Sequence, residues 1–174
     1  YSVDTMIQKL QKAVMEYPKN YEVVLSFGRY YVTKEDREQK VPVSNLVDRA
    51  AAAQITIKGN YLQHVAVYDE SIRKKEADEA MILSEMNHAL ENGEFQVYLQ
   101  PKVNMQTGKI IGSEALVRWQ HPGKGLISPT AFVPVFEKNG FITELDLYVF
   151  ERVCRLIKSW KDSGRTPYPI AVNI

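Results

Sequence analysis

A long amphipathic helix followed directly by an apolar strand is the feature that most restricts how this chain can fold. Five large apolar residues recur at intervals of three or four positions and share one helical face: Leu145, Val149, Val153, Leu156 and Trp160. Gly164 provides a stop signal, and residues 169–172 begin an apolar segment that predicts a strand. A long helix leading into such a strand is typical of a parallel α/β unit.

Two strands joined by a short turn precede this helix. Residues 95–103 and 109–119 are rich in strand-forming residues, and the segment between them ends in Thr-Gly, so we predict a β-hairpin. Ser128 followed by Pro129 predicts the start of a further helix, and Gly140 predicts its end. The second half of the chain is therefore assigned to the α/β class.

The first part of the chain also alternates helical and strand patterns. We predict the following elements: a helix carrying Val3, Met6, Leu10 and Val14 that ends before the turn-forming residues 17–20, a strand at residues 22–33, a charged loop at 34–40, a helix capped by Ser44 that continues through 46–53, and a strand at 62–68. Gly28 lies in the middle of the first of these strands, where a missing side chain often marks a bulge or a close neighbour.

Residues 69–93 are dominated by Lys, Glu, Asp and Met, and we interpret them as a linker helix. Leu83, Met86 and Leu90 are spaced to form one apolar stripe that could rest on a neighbouring domain or a partner helix. The alternative is a charged, solvated helix that joins two modules.

Composition and charge restrict the partners. The formal net charge is +1, so the overall balance attracts neither nucleic acid nor an anionic membrane, and any anionic ligand must be held locally. No apolar run is long enough to cross a bilayer, and no secretory signal is present.

Cys154 is the only cysteine, which excludes an internal disulfide; we expect a small buried thiol and a reducing, cytoplasmic location. The chain starts at Tyr1 without Met and stops in a strand-like segment, so we expect both ends to be cut.

Glu114 and Arg118 are the first candidates for chemistry. Glu114 lies in an otherwise apolar strand, where a buried carboxylate needs a partner such as a metal ion. Arg118 lies four residues further on, which places both side chains on the same face of a strand, where they could meet one phosphodiester. The alternatives are that Glu114 simply faces water, or that the pair is a structural salt bridge.

Two amides are weaker candidates. Asn173 follows an apolar strand, and the carboxyl ends of parallel strands are where barrel enzymes keep their ligands; a turn-forming Asn explains it equally well. Gln100 precedes Pro101, which indicates a strand end or an edge strand, and its amide could read a base or bind nothing. The three histidines, His64, His88 and His121, lack metal-ligand spacing and are interpreted as surface or satisfied core residues.

The order of the motifs carries more information than any one of them. The sequence from residue 93 onward resembles the first half of an EAL domain in five blocks: Tyr98-Leu99-Gln100-Pro101-Lys102-Val103, the run from Gly112 to Pro122 with Glu114-Ala115-Leu116 at its centre, Gly125-Leu126-Ile127-Ser128-Pro129, Phe132-Val133-Pro134, and Val172-Asn173-Ile174. The tripeptide Glu-Ala-Leu is the one that names the family.

The resemblance implies a (β/α)-barrel-like fold that hydrolyses cyclic di-GMP to linear pGpG with Mg²⁺ or Mn²⁺, the metals activating a water for attack at phosphorus. Glu114 and Asn173 would be metal ligands on the matching positions. Gln100, Leu116 and Arg118 would contact the substrate, and Pro129 would shape the wall of the nucleotide pocket. The other acidic ligands of the family would lie beyond Ile174, so the metal site is not expected to be complete within this chain.

The first part of the chain resembles the last half of a GGDEF diguanylate cyclase domain, with departures. Ser26-Phe27-Gly28, residues 46–50 and residues 65–68 match that family's strand, helix and last strand. Its signature positions are replaced by Ala51–Ala53, Ile55 and Ile57-Lys58. The resemblance implies a non-cyclising remnant used for nucleotide sensing or for packing. We therefore divide the chain into a degenerate GGDEF part at 1–70, a linker helix at 71–92 and an EAL part at 93–174.

Two functions remain open at this level. The first is that the parent is a tandem GGDEF–EAL phosphodiesterase, of which this segment alone would be inactive. The second is a receptor that binds cyclic di-GMP without cleaving it, or a docking module. An open half barrel exposes strand edges, so we expect either oligomerisation or pairing with the missing remainder.

Overall fold

The computed structural model describes residues 2–18 and 23–173, and the chain divides into two compact units, Tyr1–Glu76 and Ala77–Ile174. The first unit contains α1 (Val3–Glu16), β1 (Phe27–Arg29), α2 (Lys34–Glu38), α3 (Val43–Thr56) and β2 (Val65–Val67). Helix α4 (Glu70–Glu91) begins in the first unit and ends in the second. The second unit continues with β3 (Phe95–Val103), β4 (Ile110–His121), β5 (Gly125–Ile127), α5 (Pro129–Asn139), α6 (Ile142–Asp162) and β6 (Ile170–Ala171).

The first unit is built on a two-stranded parallel sheet. Strands β1 and β2 pair over three residues each, and α3 connects them across a small core of Ala53, Ile57 and Ala66. The strands predicted at 22–33 and 62–68 are therefore too long, because pairing with a neighbour extends over these three residues only. Residues 19–22, which carry part of the first predicted strand and of the preceding turn, lie outside the described residues. Helix α1 is confirmed.

Gly28 marks a close approach between α3 and β1. A Cβ atom on Gly28 would lie 1.7 Å from the carbonyl oxygen of Ala50 and 2.8 Å from Cβ of Gln54. We expect Gly28→Ala to lower the free energy of unfolding by at least about 2–3 kcal/mol, because backbone must move to admit the methyl group. Urea unfolding followed by circular dichroism measures this. Gly123→Ala is the control, since its nearest non-neighbour atom would lie at 3.6 Å; equal effects of the two changes would contradict the expectation.

Helix α2 replaces the charged loop predicted at residues 34–40. Thr33 and Asp36 form a capping box, in which the Thr33 hydroxyl accepts from the Asp36 amide and the Asp36 carboxylate accepts from the Thr33 amide. The buried Asp36 carboxylate also accepts hydrogen bonds from the hydroxyl of Tyr30 and from Arg49. The Tyr30 hydroxyl, the Thr33 amide and Arg49 together lower the pKa of Asp36 well below its usual range.

Helix α3 begins two residues earlier than the predicted Ser44 cap implies. Pro42 occupies the N-cap position without a side-chain hydrogen bond, and Val43 is the first helical residue. Ser44 therefore lies inside the helix, where its hydroxyl donates to the side chain of Asn45 at 3.3 Å, and the prediction that it caps the helix is wrong. Pro42 takes the N-cap position with ψ of 143°, and Val43 already has helical geometry, so Ser44 comes too late in the chain to act as the cap.

The second unit contains a four-stranded sheet with β4 at its centre. Antiparallel β3 pairs along one edge of β4, with Gln100 opposite Glu114, and this confirms the predicted hairpin. The other edge of β4 is shared: antiparallel β5 pairs near its C-terminal end and parallel β6 pairs near its beginning, with Glu114 opposite Ala171. Within the described part of the chain, residues 115–118 of that edge are left between the two partners.

The parallel pairing of β4 with β6 confirms the α/β unit predicted from the long helix. The start and the stop of α5 agree with the sequence: Ser128 caps the helix with Pro129 at the first position, and Gly140 ends it with φ of 84°. Strand β5 was not predicted, because three residues are too few to show a strand alternation and they read as part of the preceding turn.

An aromatic cluster forms the core of the second unit. It contains Phe95, Trp119, Phe132, Phe136 and Phe141, whose neighbouring rings lie 4.8–6.5 Å apart. Trp119 is fully buried, and its indole N–H donates to the Glu94 carboxylate at 2.8 Å. Ala115, Val117 and Trp119, which alternate along β4, therefore face the core.

One expectation about a buried position is wrong, and the apolar stripe predicted on α4 packs only in part. In α4, Ile82 and Ala89 are the buried residues, whereas Leu83, assigned to the apolar stripe, is 44% exposed. In α6, Cys154 is exposed, because the residue before it, Val153, occupies the core-facing position of that turn. Met86 and Leu90 do pack against the core. The role of α4 as a linker stays a prediction.

His121 fixes the turn between β4 and β5. Its Nδ1 accepts hydrogen bonds from the amides of Gly123 and Lys124 at 2.9 and 3.1 Å, and its Nε2 lies 2.7 Å from a carboxylate oxygen of Glu85. Because Nδ1 accepts two bonds, the proton must be on Nε2, which donates to Glu85. This confirms the interpretation of His121 as a satisfied core residue.

Candidate active site

The candidate site is built on the even-numbered face of β4. Glu114, Leu116 and Arg118 alternate along the strand with core-facing residues, so all three side chains project from the opposite face. Gln100 of β3 is the register partner of Glu114 and shares this face. The prediction that Glu114 and Arg118 lie on one face is therefore confirmed by the strand geometry.

Parallel pairing with β6 brings Asn173 to Glu114. The Asn173 amide nitrogen lies 3.3 Å from Oε1 of Glu114, and the ammonium of Lys102 lies 3.3 Å from Oε2. Lys102 first, and then Asn173, lower the pKa of Glu114 by stabilising its ionised form. The carboxylate is therefore negatively charged at neutral pH, and each of its oxygens faces a nitrogen donor.

These two side chains are chemically suited to a hard divalent cation. Hard cations such as Mg²⁺ bind oxygen donors, which the Glu114 carboxylate supplies directly. Rotating the Asn173 amide by half a turn would place its oxygen where its nitrogen now faces Glu114. They supply only part of a coordination sphere, since no group of three or more His, Cys, Asp or Glu side chains with metal-binding geometry occurs among residues 2–18 and 23–173.

A cavity of about 350 Å³ opens beside the free segment of β4, between that edge and helices α5 and α6. Its lining includes residues 115–118, Pro129, Asp146 and Asn173. The structure thus brings Leu116, Arg118, Pro129 and Asn173 of the predicted site to one cavity. Glu114 and Gln100 do not line it, although Glu114 contacts Asn173 at its margin.

Arg118 is held without a carboxylate partner. Its guanidinium donates to the carbonyl oxygen of Val117 at 2.8 Å, and the described residues give it no ion pair. The alternative of a structural salt bridge between Glu114 and Arg118 is not what the structure contains, because Lys102 pairs with Glu114 instead. The charge of Arg118 is therefore available to an anion in the cavity.

Asp146 and Lys102 are the residues that sequence reasoning missed. Asp146 lines the cavity half-buried, has no hydrogen bond or ion pair within the described ranges, and has its pKa raised by burial. The sequence did hold a signal, because Asp146 lies three residues before the core-facing Val149 and so borders the apolar stripe of α6. Lys102 gave no comparable signal, since its contact with Glu114 depends on strand register.

Comparison with known proteins identifies the second unit. Residues 83–174 match the family model of the EAL domain, which is more than half of the chain. The chain belongs to the EAL family. EAL domains generally depend on divalent metal ions, in agreement with the oxygen-donor chemistry of Glu114 and Asn173.

Individual relatives extend this assignment. Over 129 residues the EAL chain is 34% identical to MucR of Pseudomonas aeruginosa, a bifunctional diguanylate cyclase/cyclic di-GMP phosphodiesterase, and the match covers 74% of this chain and 19% of MucR. A solved structure of PaMucR phosphodiesterase as a c-di-GMP complex has 40% identity and a TM-score of 0.50, covering 54% of this chain and 38% of that one.

A third comparison concerns fold alone. Vibrio cholerae LapD, solved as an S helix-GGDEF-EAL segment bound to c-di-GMP, has a TM-score of 0.50 at 19% identity over 76% of this chain and 31% of that one. The EAL chain therefore spans a minor part of the length of each of these relatives. Among the residues that the structure describes, no helix has the length and hydropathy to cross a membrane.

Proposed function

We propose that this EAL chain is part of a cyclic-di-GMP phosphodiesterase that hydrolyses cyclic di-GMP to linear pGpG with Mg²⁺ or Mn²⁺. The observation that carries the proposal is the meeting of Glu114 with Asn173 at the mouth of a cavity that also contains the unpaired guanidinium of Arg118. The 40% identity to a phosphodiesterase solved with c-di-GMP supports the choice of substrate.

Each of the six predicted residues has a role in this proposal. Glu114 and Asn173 would hold a cation through their side-chain oxygens, and a cation there would supply Lewis-acid chemistry: polarisation of the phosphodiester and activation of a water molecule. Arg118 leaves the Val117 carbonyl and takes a phosphate oxygen, since a guanidinium matches phosphate geometry. Leu116 and Pro129 form apolar walls for the nucleotide, and Gln100, exposed opposite Glu114, offers an amide to it.

Asp146 adds a base-recognition element. A guanine presents two adjacent donors, its ring N–H and its amino group, and an unpaired carboxylate in a cavity can accept both. Such a bond removes the cost of leaving Asp146 half-buried without a partner. The position of Asp146 in the same cavity as Arg118 supports recognition of base and phosphate by a single site.

For the first unit we propose a degenerate GGDEF remnant at 1–70, joined through residues 71–92 to the EAL part at 93–174. Support comes from the parallel β1–α3–β2 arrangement and from the LapD likeness, which extends over 76% of the chain. The substitutions Ala51–Ala53 favour a role in nucleotide sensing or packing over cyclisation.

The second candidate function is a receptor that binds cyclic di-GMP without cleaving it. It is favoured by one observation: both oxygens of Glu114 already face nitrogen donors, so the carboxylate is satisfied without a metal. Acidic side chains that complete the coordination sphere in a longer protein would favour the enzyme, and their replacement would favour the receptor.

Binding and turnover assays on the chain itself test the proposal. We expect weak binding of cyclic di-GMP, a loss of affinity of about tenfold or more in Arg118→Ala because a bond to a charged phosphate is removed, and no linear product with Mn²⁺ because two ligands do not complete a metal site. Isothermal titration calorimetry and chromatography of the nucleotide measure these.

Arg155→Ala is the matched control, since Arg155 is exposed on α6 and pairs with Glu151 away from the cavity. Equal affinity of Arg118→Ala and the unchanged chain would remove Arg118 from the site. Release of pGpG by this chain would show that the constellation is complete without further ligands.

A further inference from the structure

The ammonium group of Lys102 contacts Glu114, the proposed metal ligand. Its Nζ lies 3.3 Å from Oε2 of Glu114, and the two side chains are 49% and 31% exposed. Asn173 faces the other oxygen at the same distance. A divalent cation bound to Glu114 and Asn173 would have to share the carboxylate with an ammonium group that already neutralises it.

Strand register explains why Lys102 reaches Glu114. Lys102 is the register partner of Gly112, and Glu114 lies two residues further along β4 on the same face, which makes the contact a diagonal cross-strand pair. Gly112 has no side chain to occupy the space between them. The pairing register shifts directly after Lys102, between Lys102 and Val103, and such irregularities redirect the side chains beside them.

Exposure of the pair makes the contact reversible. A half-exposed ammonium can move into water at little cost, because an exposed ion pair contributes little to stability and is weakened by salt. A divalent cation, which binds a carboxylate more strongly than an ammonium group does, could therefore displace Lys102 from Glu114.

We propose that Lys102 is an internal competitor for the cation site at Glu114: its ammonium occupies the Oε2 side of the carboxylate until a divalent cation displaces it, and it thereby sets the metal affinity of the site. This inference rests on the proposed function, because it requires Glu114 to be a metal ligand. Lys102 is a positioning residue in this scheme, since it acts on the cation through Glu114.

Mn²⁺ binding to the chain at low ionic strength tests the inference. Paramagnetic broadening of backbone amide signals is selective for nearby nuclei and detects weak sites, so the signals of Glu114, Ala115 and Asn173 serve as the readout. We expect Lys102→Met to raise the affinity for Mn²⁺ roughly three- to tenfold, because one competing charge at contact distance is removed. Lys102→Arg retains the charge and should keep the original affinity, and the gain in Lys102→Met should shrink at high salt.

The matched control is Lys109→Met, which makes the same change of net charge in the same hairpin without an ion pair to Glu114 within the described residues. Glu114→Gln tests the proposed metal site independently of the role of Lys102. If broadening persists unchanged in Glu114→Gln, the proposed metal site is wrong. If Glu114→Gln abolishes broadening but Lys102→Met binds Mn²⁺ no more tightly than Lys109→Met, the metal site stands and the role of Lys102 is overturned. A gain in Lys102→Met that disappears in the Glu114→Gln background supports it.

Discussion

Replacing Glu114 by Gln should reduce the hydrolysis of cyclic di-GMP by about a thousandfold or more in a protein that continues this segment through a complete EAL domain. Gln keeps the size of the side chain but lacks the negative charge that holds a divalent cation, and a metal supplies several kcal/mol of transition-state stabilisation in such reactions. The fold should survive, because Glu114 is partly exposed and its partners Lys102 and Asn173 are also exposed to water. Initial rates of pGpG formation with saturating Mn²⁺ measure the effect.

Glu151→Gln is the control for this experiment. Glu151 is exposed on α6 and pairs with Arg155 four residues further on, so its replacement makes the same change of charge away from the site. Its rate should stay within about twofold of the original, since exposed pairs of this kind contribute little. Survival of full activity in Glu114→Gln would show that Glu114 is not a metal ligand.

Trp119→Ala should destabilise the second unit by about 3–5 kcal/mol, which is the usual cost of removing a large aromatic side chain from a core. Trp119 is fully buried, its ring contacts Phe95, Phe132 and Phe136, and its indole N–H bonds to Glu94. Alanine would leave a cavity and a carboxylate without its donor. Urea unfolding followed by far-ultraviolet circular dichroism gives the change in free energy.

Two further variants separate the contributions at this position. Trp119→Phe keeps most of the packing but removes the bond to Glu94, so we expect a loss of about 1–2 kcal/mol. Phe150→Ala removes an aromatic side chain that is 49% exposed on α6 and should cost less than about 1 kcal/mol. Similar losses for Trp119→Ala and Phe150→Ala would mean that the aromatic cluster does not stabilise this unit.

The sequence allowed the long-range features of the second unit to be predicted because they depend on periodicity. The spacing of apolar residues located α6, Ser128 and Pro129 located the start of α5, and the apolar segment after Gly164 located the strand that pairs in parallel with β4. Parallel pairing in turn brings the residue after that strand to the carboxylate of β4, but the pairing of Asn173 with Glu114 was expected from the resemblance to EAL domains rather than from periodicity.

Features that depend on register or on a missing neighbour were not predictable. The contact of Lys102 with Glu114 requires the offset of β3 against β4, which alternation along one strand does not specify. The cavity exists because β5 and β6 leave residues 115–118 unpaired in the described chain. Strands β1 and β2 are short because each finds its partner over three residues only, whatever the composition of its flanks.

The alternation of β4 links the proposed metal-ligand position to the core, because side chains an odd number of residues apart on a strand point to opposite faces. Trp119 must point into the aromatic cluster, and Glu114, an odd number of positions earlier, must then point away from it. Inserting or deleting one residue between them would force a choice, in which either the indole meets water or the carboxylate enters a layer of phenyl rings. A single insertion or deletion between Glu114 and Trp119 would therefore need a compensating β-bulge, whereas a change of two residues would keep both side chains on their present faces.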